Sequence, residues 1–262
     1  MDQAKLLRTF HNDVKMIMIS KYSSYVKEAS TISLLDIGVG RGGDMHKWNK
    51  CNIRNVIGID VNKVYIHEAI KRLKRISYMN SNKCYKFYYT FPDLMFQSFC
   101  AKMQIKCHNN FDLVSCMFAF HYFWKNEHTL RDIIKQISDS LKDGGYFIGV
   151  APQGEAIQSL LGGSKTYTTP NMQIERKYDT VSKIGDAISF MLSGTLYFGE
   201  NMMSDEYLIF KDVFVSIALE HDLHCVEYTG FKDYYMNNYC MNDTTKEASF
   251  VNCAFAFVKK TR

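Results

Sequence analysis

A glycine-rich turn between two apolar runs that each carry an acid constrains this chain more than any other feature. The first run, Leu34–Ile37, contains Asp36 and is followed by glycines at positions 38, 40, 42 and 43. A second apolar run ends in Asp60, seventeen residues after the last of these glycines. A strand, a glycine turn, a helix and a second strand ending in a carboxylate form a unit that holds a nucleoside at the edge of a parallel sheet. The sequence therefore predicts a nucleoside-cofactor site, and the alternative is an ordinary strand-to-helix turn.

The order of the acid and the glycines indicates the kind of nucleoside. A dinucleotide-binding turn reads Gly-x-Gly-x-x-Gly, whereas here Asp36 precedes Gly38 and Gly40 in the order Asp-x-Gly-x-Gly. This order suits S-adenosylmethionine, which brings an amino-acid tail and a ribose but no pyrophosphate. The glycines would let the backbone approach this cofactor, and Asp60 would accept hydrogen bonds from the ribose hydroxyls.

Strand and helix patterns alternate along the first 150 residues. Apolar spacing predicts helices at 6–29, 43–50, 63–79 and 127–141, and strands at 32–37, 55–60, 84–90, 111–117 and 146–150. Repeated units of this kind predict an α/β, Rossmann-like fold with a parallel sheet covered by helices on both faces. Its ligands would bind beyond the carboxyl ends of the strands.

The alternation stops after Pro152. Residues 153–205 carry glycines, threonines and short aromatic segments, so we interpret them as an insertion after strand five. A helix at about 205–221 and two closing strands, 224–229 and 250–258, complete the pattern. With one of these two strands reversed, the expected fold is a seven-stranded, mostly parallel methyltransferase sheet. We expect residues 1–262 to form a single domain, with residues 1–30 as an N-terminal helical segment.

Composition narrows the classes of function only slightly. The formal net charge is +5, and a basic cluster occupies residues 71–75, which permits an anionic partner such as RNA. A solvated helix face is the alternative interpretation of this cluster. No apolar run is long enough to span a membrane, and no secretory signal is evident. The eight cysteines contain no Cys-x-x-Cys pair, which indicates buried thiols rather than a metal site.

An aromatic segment follows the fourth predicted strand. Residues 117–124 read Met-Phe-Ala-Phe-His-Tyr-Phe-Trp. An exposed loop of this composition at the ligand edge would stack on a flat ring, with His121 and Tyr122 adding hydrogen bonds. Packing of these aromatic side chains beneath a loop is the alternative.

Several motifs in this order resemble the mRNA cap guanine-N7 methyltransferases. The resemblance is carried by Leu-Asp-Ile-Gly-Val-Gly-Arg-Gly-Gly-Asp-Met-His-Lys-Trp at 35–48, Phe-His-Tyr at 120–122 and Gly-Gly-Tyr-Phe-Ile-Gly-Val-Ala-Pro at 144–152. Asp-Glu-Tyr-Leu-Ile at 205–209 is similar to a motif of the family's insertion domain, and Phe-His-Asn-Asp-Val-Lys at 10–15 is a weaker match. The resemblance implies a class I methyltransferase whose insertion at 153–205 binds the cap.

The resemblance also assigns roles to individual residues. It implies that Lys15 binds the methionine carboxylate, Asp60 the ribose, and Asp93 the adenine. The full set that it places at the cofactor is Lys15, Asp36, Gly38, Gly40, Asp60, Asp93, Met117, Phe118 and Tyr122. The set that it places at the cap is His11, Asn12, Arg41, His121, Tyr122, Pro152 and Glu206.

Two positions depart from the family pattern. Met117 stands where the family usually has Gln, so only its backbone would contact the adenine. Asn252 stands where the family usually has an aromatic residue that stacks on the guanine. Phe250 lies two residues earlier, which in a strand is the same face, and could replace that ring.

The chemistry of the expected reaction agrees with these roles. Glu206 could accept hydrogen bonds from N1–H and the exocyclic amine of guanine, although by spacing alone it could equally be a carboxylate at a helix N-terminus. Arg41 could neutralise a cap phosphate. Guanine N7 already has a free lone pair, so the reaction needs alignment and no residue in direct proton transfer.

Other functions remain open at this stage. Ribose 2′-O methylation would need a group to deprotonate a hydroxyl, and no acid follows strand four. A small-molecule methyltransferase has the same sheet, and a catalytically silent module that binds cofactor or RNA is a third possibility. The resemblance extends to the capping enzymes of large cytoplasmic DNA viruses. It therefore implies fused or associated triphosphatase and guanylyltransferase domains, and a viral protein of the host-cell cytoplasm, packaged in the virion in some cases.

Overall fold

A computed structural model describes residues 2–26, 31–77, 84–90, 108–170, 172–192, 204–236 and 239–260. Their main element is a seven-stranded sheet made of β1 (Ile32–Ile37), β2 (Ile53–Asp60), β3 (Cys84–Tyr89), β4 (Phe111–Met117), β5 (Leu141–Pro152), β10 (Leu223–Gly230) and β11 (Asn252–Lys259). The strand order is β10-β11-β5-β4-β1-β2-β3. Only β11 runs antiparallel to both of its neighbours, which confirms the expected mostly parallel sheet.

Helices cover both faces of this sheet because successive strand residues alternate between two cores. In β11, Phe255 and Phe257 belong to one core, and Ala254 and Ala256 to the other. In chain order, the α-helices of the described residues are α1 (Gln3–Tyr25), α2 (Met45–Lys50), α3 (Lys63–Ser77), α4 (Glu127–Ser140), α5 (Gly154–Leu161), α6 (Lys211–Leu219), α7 (Phe231–Tyr234) and α8 (Asp243–Phe250). The first three pack on the alanine side, and α4, α5 and α6 pack on the phenylalanine side.

A second sheet lies between β5 and α6. It consists of β6 (Thr166–Thr168), β7 (Met172–Arg176), β8 (Ala187–Leu192) and β9 (Ser204–Tyr207), all antiparallel. Buried apolar residues of β7 and β8, such as Ile174 and Ile188, belong to the same core as Phe147 and Phe255 of the large sheet. The small sheet therefore packs on the phenylalanine side.

Three details of the fold differ from the sequence-based expectation. The helix expected from 205 begins at Lys211, because residues 204–207 pair with β8. The last strand begins at Asn252 and not at Phe250, which is the final residue of α8. The fifth strand extends from Leu141 to Pro152, longer than the expected 146–150.

Candidate active site

The glycine turn follows β1 at the edge of the sheet, and two of its glycines have a left-handed backbone conformation. Gly38 has φ of 75° and Gly40 has φ of 54°, a region that favours glycine. A Cβ on Gly38 would lie 2.4 Å from Cβ of Ala119, whereas a Cβ on Gly40 would have no atom within 4 Å. Gly38 thus permits close contact with the residues after β4, and Gly40 faces open space where a ligand can approach.

Asp60, at the end of β2, is tied to this turn. One carboxylate oxygen accepts the N–H of Gly40 at 2.8 Å, and the other accepts the N–H of Asn62 at 2.8 Å. A carboxylate oxygen accepts two hydrogen bonds, so each can also accept a ribose hydroxyl. The next residue, Val61, is 54% exposed and offers an apolar surface beside the carboxylate. The sequence analysis did not single out Val61.

Asp36 lies beneath the turn and is buried. Its carboxyl accepts a hydrogen bond from the hydroxyl of Ser115 at 2.5 Å. Burial, with a smaller contribution from the carboxylate of Asp44, raises the pKa of Asp36 to about 8. At neutral pH this side chain is therefore mainly protonated, and its observed contact supports the turn from below.

A cluster of charges links α1 to α2. The ammonium of Lys15 lies 2.8 Å from Oδ1 of Asp44, and the buried Lys47 lies 2.5 Å from the same oxygen. Lys47 also donates to the side chain of Asn12 at 2.8 Å. Burial would raise the pKa of Asp44, but the two lysines outweigh it and hold this pKa below its ordinary value. Asn12, predicted at the cap, therefore contacts this cluster.

Lys15 is held close to the glycine turn by this arrangement. An ammonium has three N–H donors, so Lys15 can bind a second carboxylate while it keeps Asp44. Asp44 and Lys47 were not selected from the sequence as site residues, although both lie within the motif at 35–48. Their i,i+3 spacing after the turn was the available signal.

His11 and Phe118 meet where α1 crosses the end of β4. Their rings are stacked at 5.2 Å, and Nε2 of His11 lies 2.9 Å from the hydroxyl of Ser249. Burial and then the charge of Lys15 lower the pKa of His11 to about 3, so the ring is neutral at pH 7. Phe118 has φ of 58°, an uncommon conformation for a bulky side chain. This strain places the Phe118 ring against His11.

A second cluster joins the segment after β4 to the small sheet. Nε2 of His121 contacts a carboxylate oxygen of Glu206, and the hydroxyl of Tyr122 donates to the other oxygen at 3.4 Å. His121 and Glu206 are buried, whereas Tyr122 is 50% exposed. Glu206 belongs to β9 and not to a helix, which excludes the interpretation of this residue as a helix N-terminal carboxylate.

The aromatic segment is not the exposed loop that the sequence suggested. Residues Phe120–Lys125 form a 3-10 helix in which Phe120 and Trp124 are fully buried. Phe120 stacks on Phe214 of α6 at 4.8 Å. Phe120 and Trp124 therefore belong to the core, whereas Tyr122 of the same 3-10 helix is exposed.

Pro152 connects this cluster to β5. Its carbonyl oxygen accepts the N–H of Ile209 at 3.4 Å, and the N–H of Gly154 donates to the carbonyl of Ile209 at 2.8 Å. These bonds hold the chain that leaves Glu206 against the end of β5. His121, Tyr122, Pro152 and Glu206 are thus brought to one edge of the sheet.

Arg41 lies on the other side of the glycine turn. Its guanidinium stands 4.8 Å from the ring centre of Tyr65, and its Nε lies 3.3 Å from the carboxylate of Glu68. Both partners belong to α3. Arg41 therefore extends towards α3, although the sequence analysis placed it with the cap residues.

Phe250 does not share a strand face with Asn252. As the last residue of α8, Phe250 packs edge-on against Tyr235 with ring centres 5.3 Å apart. The side-chain amide of Asn252 donates to the carbonyl of Ser249 at 2.9 Å, which satisfies the end of α8. The expectation that the two residues share one face of a strand was wrong, because α8 ends at Phe250 and the strand begins at Asn252.

Met117 and Asp93 are the two residues that the resemblance places at the adenine of the cofactor. Met117 is buried at the end of β4, and the next residue, Phe118, donates its N–H to the carbonyl of Val150 at 2.8 Å. The side chain of Met117 therefore faces the core, and its backbone lies at the ligand edge. Asp93 lies outside the described residues.

Solved structures with a similar fold include S-adenosylmethionine-dependent methyltransferases. One from Clostridium acetobutylicum superposes with a TM-score of 0.58 at 14% identity, covering 98% of this chain and 92% of that one. The CcbJ methyltransferase from Streptomyces caelestis gives a TM-score of 0.60 at 14% identity, covering 94% of this chain and 95% of that chain. These likenesses confirm the expected fold class.

Curated relatives are more specific. The mRNA cap guanine-N(7) methyltransferase of Caenorhabditis briggsae is 26% identical over 87% of this chain and 60% of its own length. That of Saccharomyces cerevisiae is 27% identical over 88% of this chain and 53% of its own length. The chain thus spans a little over half the length of these two relatives.

The family model described as the mRNA (guanine-N(7))-methyltransferase domain matches residues 3–252, which is nearly the whole chain. The matched range includes the glycine turn, the His121–Glu206 cluster, the small sheet and the strands of the large sheet except β11, of which it reaches only Asn252. It agrees with the resemblance that the motifs carry. The chain therefore belongs to the mRNA (guanine-N(7))-methyltransferase domain family.

Proposed function

We propose that this chain transfers a methyl group from S-adenosylmethionine to N7 of the guanine cap of mRNA, converting GpppN-RNA to m7GpppN-RNA. The observation that carries the proposal is the buried carboxylate of Glu206, held by His121 and Tyr122 at the ligand edge of the sheet. Family membership supports the same reaction.

Guanine fits the acceptors of this cluster. Its N1–H and exocyclic amine are neighbouring donors, and one carboxylate can accept from both. Adenine presents an acceptor at N1 and would repel the carboxylate there. Because Glu206 is buried, water would not screen this repulsion, so adenine would be rejected. Glu206 therefore selects guanine, and Tyr122 closes the exposed side.

The residues around the glycine turn fit S-adenosylmethionine. Gly40 leaves open the space that a Cβ would fill, and Asp60 retains acceptor capacity for the ribose hydroxyls. Lys15 supplies a cation for the methionine carboxylate. The cofactor supplies a methyl group already activated by its sulfonium charge.

The residues of this chain then act by alignment. Guanine N7 carries no proton, so no side chain has to remove one before attack. His121, Tyr122 and Glu206 fix the purine plane, while the glycine turn and Asp60 fix the nucleoside. Holding two reactants in line lowers the entropic part of the barrier. In this proposal Glu206 accepts hydrogen bonds from the edge of guanine opposite N7, which leaves N7 free to face the methyl group.

The direct test is methyl transfer from labelled cofactor to GpppA- and GpppG-capped RNA. Nuclease digestion and chromatography then identify the methylated atom. We expect label only at N7 of the cap guanine. Label on a ribose 2′ oxygen, methylation of small molecules alone, or tight cofactor binding without transfer would each overturn the proposal.

A Glu206→Gln variant tests guanine recognition. A hydrogen bond to a charged group contributes about 1.5–3 kcal/mol, so the wild type should prefer a guanine cap over an inosine cap about 10- to 100-fold in kcat/KM. Inosine lacks the exocyclic amine, and Glu206→Gln should lose most of this preference. Glu175→Gln, on β7 of the same small sheet, is the matched control. An unchanged preference in Glu206→Gln would contradict the assigned role.

The setting of the reaction is part of the same proposal. The resemblance to capping enzymes of large cytoplasmic DNA viruses supports a viral protein that works in the host cytoplasm beside triphosphatase and guanylyltransferase domains. Fractionation of infected cells, with antibodies to this chain, checks the location. Among the described residues, no helix is both long and apolar enough to cross a bilayer.

A further inference from the structure

The outer face of α3 is strongly basic. Of the charged residues on this helix, Lys63, Lys71, Arg72, Lys74 and Arg75 are cations, and Glu68 is the single acid. All five cations are exposed. The buried side, formed by residues such as Ile66 and Ala69, faces the core. The cations therefore stand on a continuous solvent-facing surface.

This charge is not neutralised within the described part of the chain. No acidic side chain in that part forms an ion pair with Lys71, Lys74 or Arg75, and Glu68 is paired with Arg41. Cations in the last helical turn would offset the helix dipole, which accounts for Lys74 and Arg75. Lys71 and Arg72 lie earlier on the helix, so the dipole does not account for the whole cluster.

The basic surface is continuous with the glycine turn. Arg72 donates to the carbonyl of Gly42 at 3.2 Å, and Arg41 contacts Tyr65 and Glu68 on the same helix. Residues 68, 72 and 75 follow one another on one side of the helix. From Glu68 to Arg75 the helix rises about 10 Å. Arginine side chains thus extend from the edge of the cofactor site along α3.

We propose that this face of α3 binds the phosphates of the RNA nucleotides that follow the cap. The inference rests on the proposed function, because a cap held by Glu206 brings an RNA chain to this edge of the sheet. Phosphates are the anions that such a chain presents at regular spacing, and arginine binds them in two-pronged geometry. Arg41 and Arg72 would bind the first phosphates, and Lys71, Lys74 and Arg75 the later ones.

The experiment compares two charge-matched variants of the full chain. Lys71→Glu/Arg75→Glu removes two cations of the α3 face. Lys135→Glu/Lys260→Glu makes the same change in net charge at exposed positions on α4 and after β11. The probes are GpppG-capped single-stranded RNA and the GpppG dinucleotide. Binding is measured by fluorescence anisotropy between 50 and 200 mM salt, a range in which phosphate contacts are strongly salt-dependent.

Each phosphate contact contributes about 0.7 to the salt slope of single-strand binding. The α3 variant should therefore lose about 1.4 units of slope for capped RNA, and its ratio of kcat/KM for RNA to kcat/KM for the dinucleotide should fall. The control variant should keep the wild-type slope. An equal loss in both variants, or no loss in either, would overturn the proposal. Failure of the wild type to methylate the capped RNA would instead overturn the proposed function, since the slopes are measured by binding alone.

Discussion

Two glycines of the same turn have different tasks, and one substitution at each separates them. Gly38→Ala would place its Cβ 2.4 Å from Ala119, so we expect the free energy of unfolding to fall by about 2–4 kcal/mol. Gly40→Ala meets no atom, so it should cost only about 1 kcal/mol for its backbone conformation. Its Cβ would occupy the space proposed for the cofactor, and the affinity for S-adenosylhomocysteine should fall at least about tenfold.

Gly162 supplies the matched control for this pair. It ends α5 with φ of 56°, close to that of Gly40, and a Cβ there also meets no atom within 4 Å. Gly162→Ala should show the same small loss in urea unfolding but full affinity for S-adenosylhomocysteine by calorimetry. Wild-type affinity in Gly40→Ala would show that the open space beside the turn is not the cofactor site.

At the level of single residues, spacing alone could predict only local contacts, and the grouping of His121 with Glu206 came from the family resemblance. Gly40 and Asp60 were identified because their spacing alone defines the turn and its acid. The pairing of Lys15 with Asp44 joins residues 29 positions apart, and no local pattern encodes it. The contact of His11 with Ser249 spans 238 positions and depends on the packing of α1 against α8.

At the level of elements, the end of α4 depends on a buried lysine from the last strand. Nζ of Lys259 donates to the carbonyls of Ser138 and Leu141, at 2.8 and 2.9 Å, and to the side chain of Asn109 at 3.0 Å. Helix C-terminal carbonyls lack partners within the helix. Lys259→Met would remove this buried donor from both carbonyls and from Asn109, while the carbonyl of Ser138 keeps the N–H of Leu141. The free energy of unfolding should therefore fall by about 1–3 kcal/mol.

The neighbouring residue tests whether this effect belongs to the buried position. Lys260 is exposed, and Lys260→Met should change the free energy of unfolding by no more than about 0.5 kcal/mol. Urea titrations of the two variants make the comparison. Equal stabilities would mean that the cost of burying the Lys259 charge cancels its hydrogen bonds.

Elements with a strong period were predictable, and those defined by pairing were not. The helix at 127–141 and the strand at 111–117 follow from apolar spacing, and the structure confirms them within a residue. The strands of the small sheet have only three to six residues. Their existence depends on partners, as for β9, which the sequence assigned to a helix. Phe250 was placed in a strand because it opens the largely apolar segment 250–258, although in the structure it is the last residue of α8.

At the scale of the whole molecule, the two sheets share one core. Met172, Ile174 and Ile188 of the small sheet lie in the same buried cluster as Phe147 and Phe255 of the large one. The N–H of Gly185, in the loop before β8, donates to the carbonyl of Trp124 at 2.9 Å. The proposed cap site lies between the sheets and requires that they keep a fixed arrangement. This continuity favours one cooperative unit.

The two tryptophans of the chain can test this cooperativity, because they lie on opposite faces of the large sheet. Trp48, on α2, is buried against Tyr85 and Phe87 of β3, and Trp124 is buried on the side of the small sheet. Trp48→Phe and Trp124→Phe each leave one reporter, and in each variant thermal unfolding by fluorescence should coincide with unfolding by far-UV circular dichroism. S-adenosylhomocysteine at 100 times its Kd adds about 2.7 kcal/mol, which should raise Tm by about 5–10 °C for both reporters. If the Trp124 signal changed at a lower temperature, or did not shift with ligand while Trp48 did, the small sheet would unfold separately. The cap site would then assemble only when substrate brings the two sheets together.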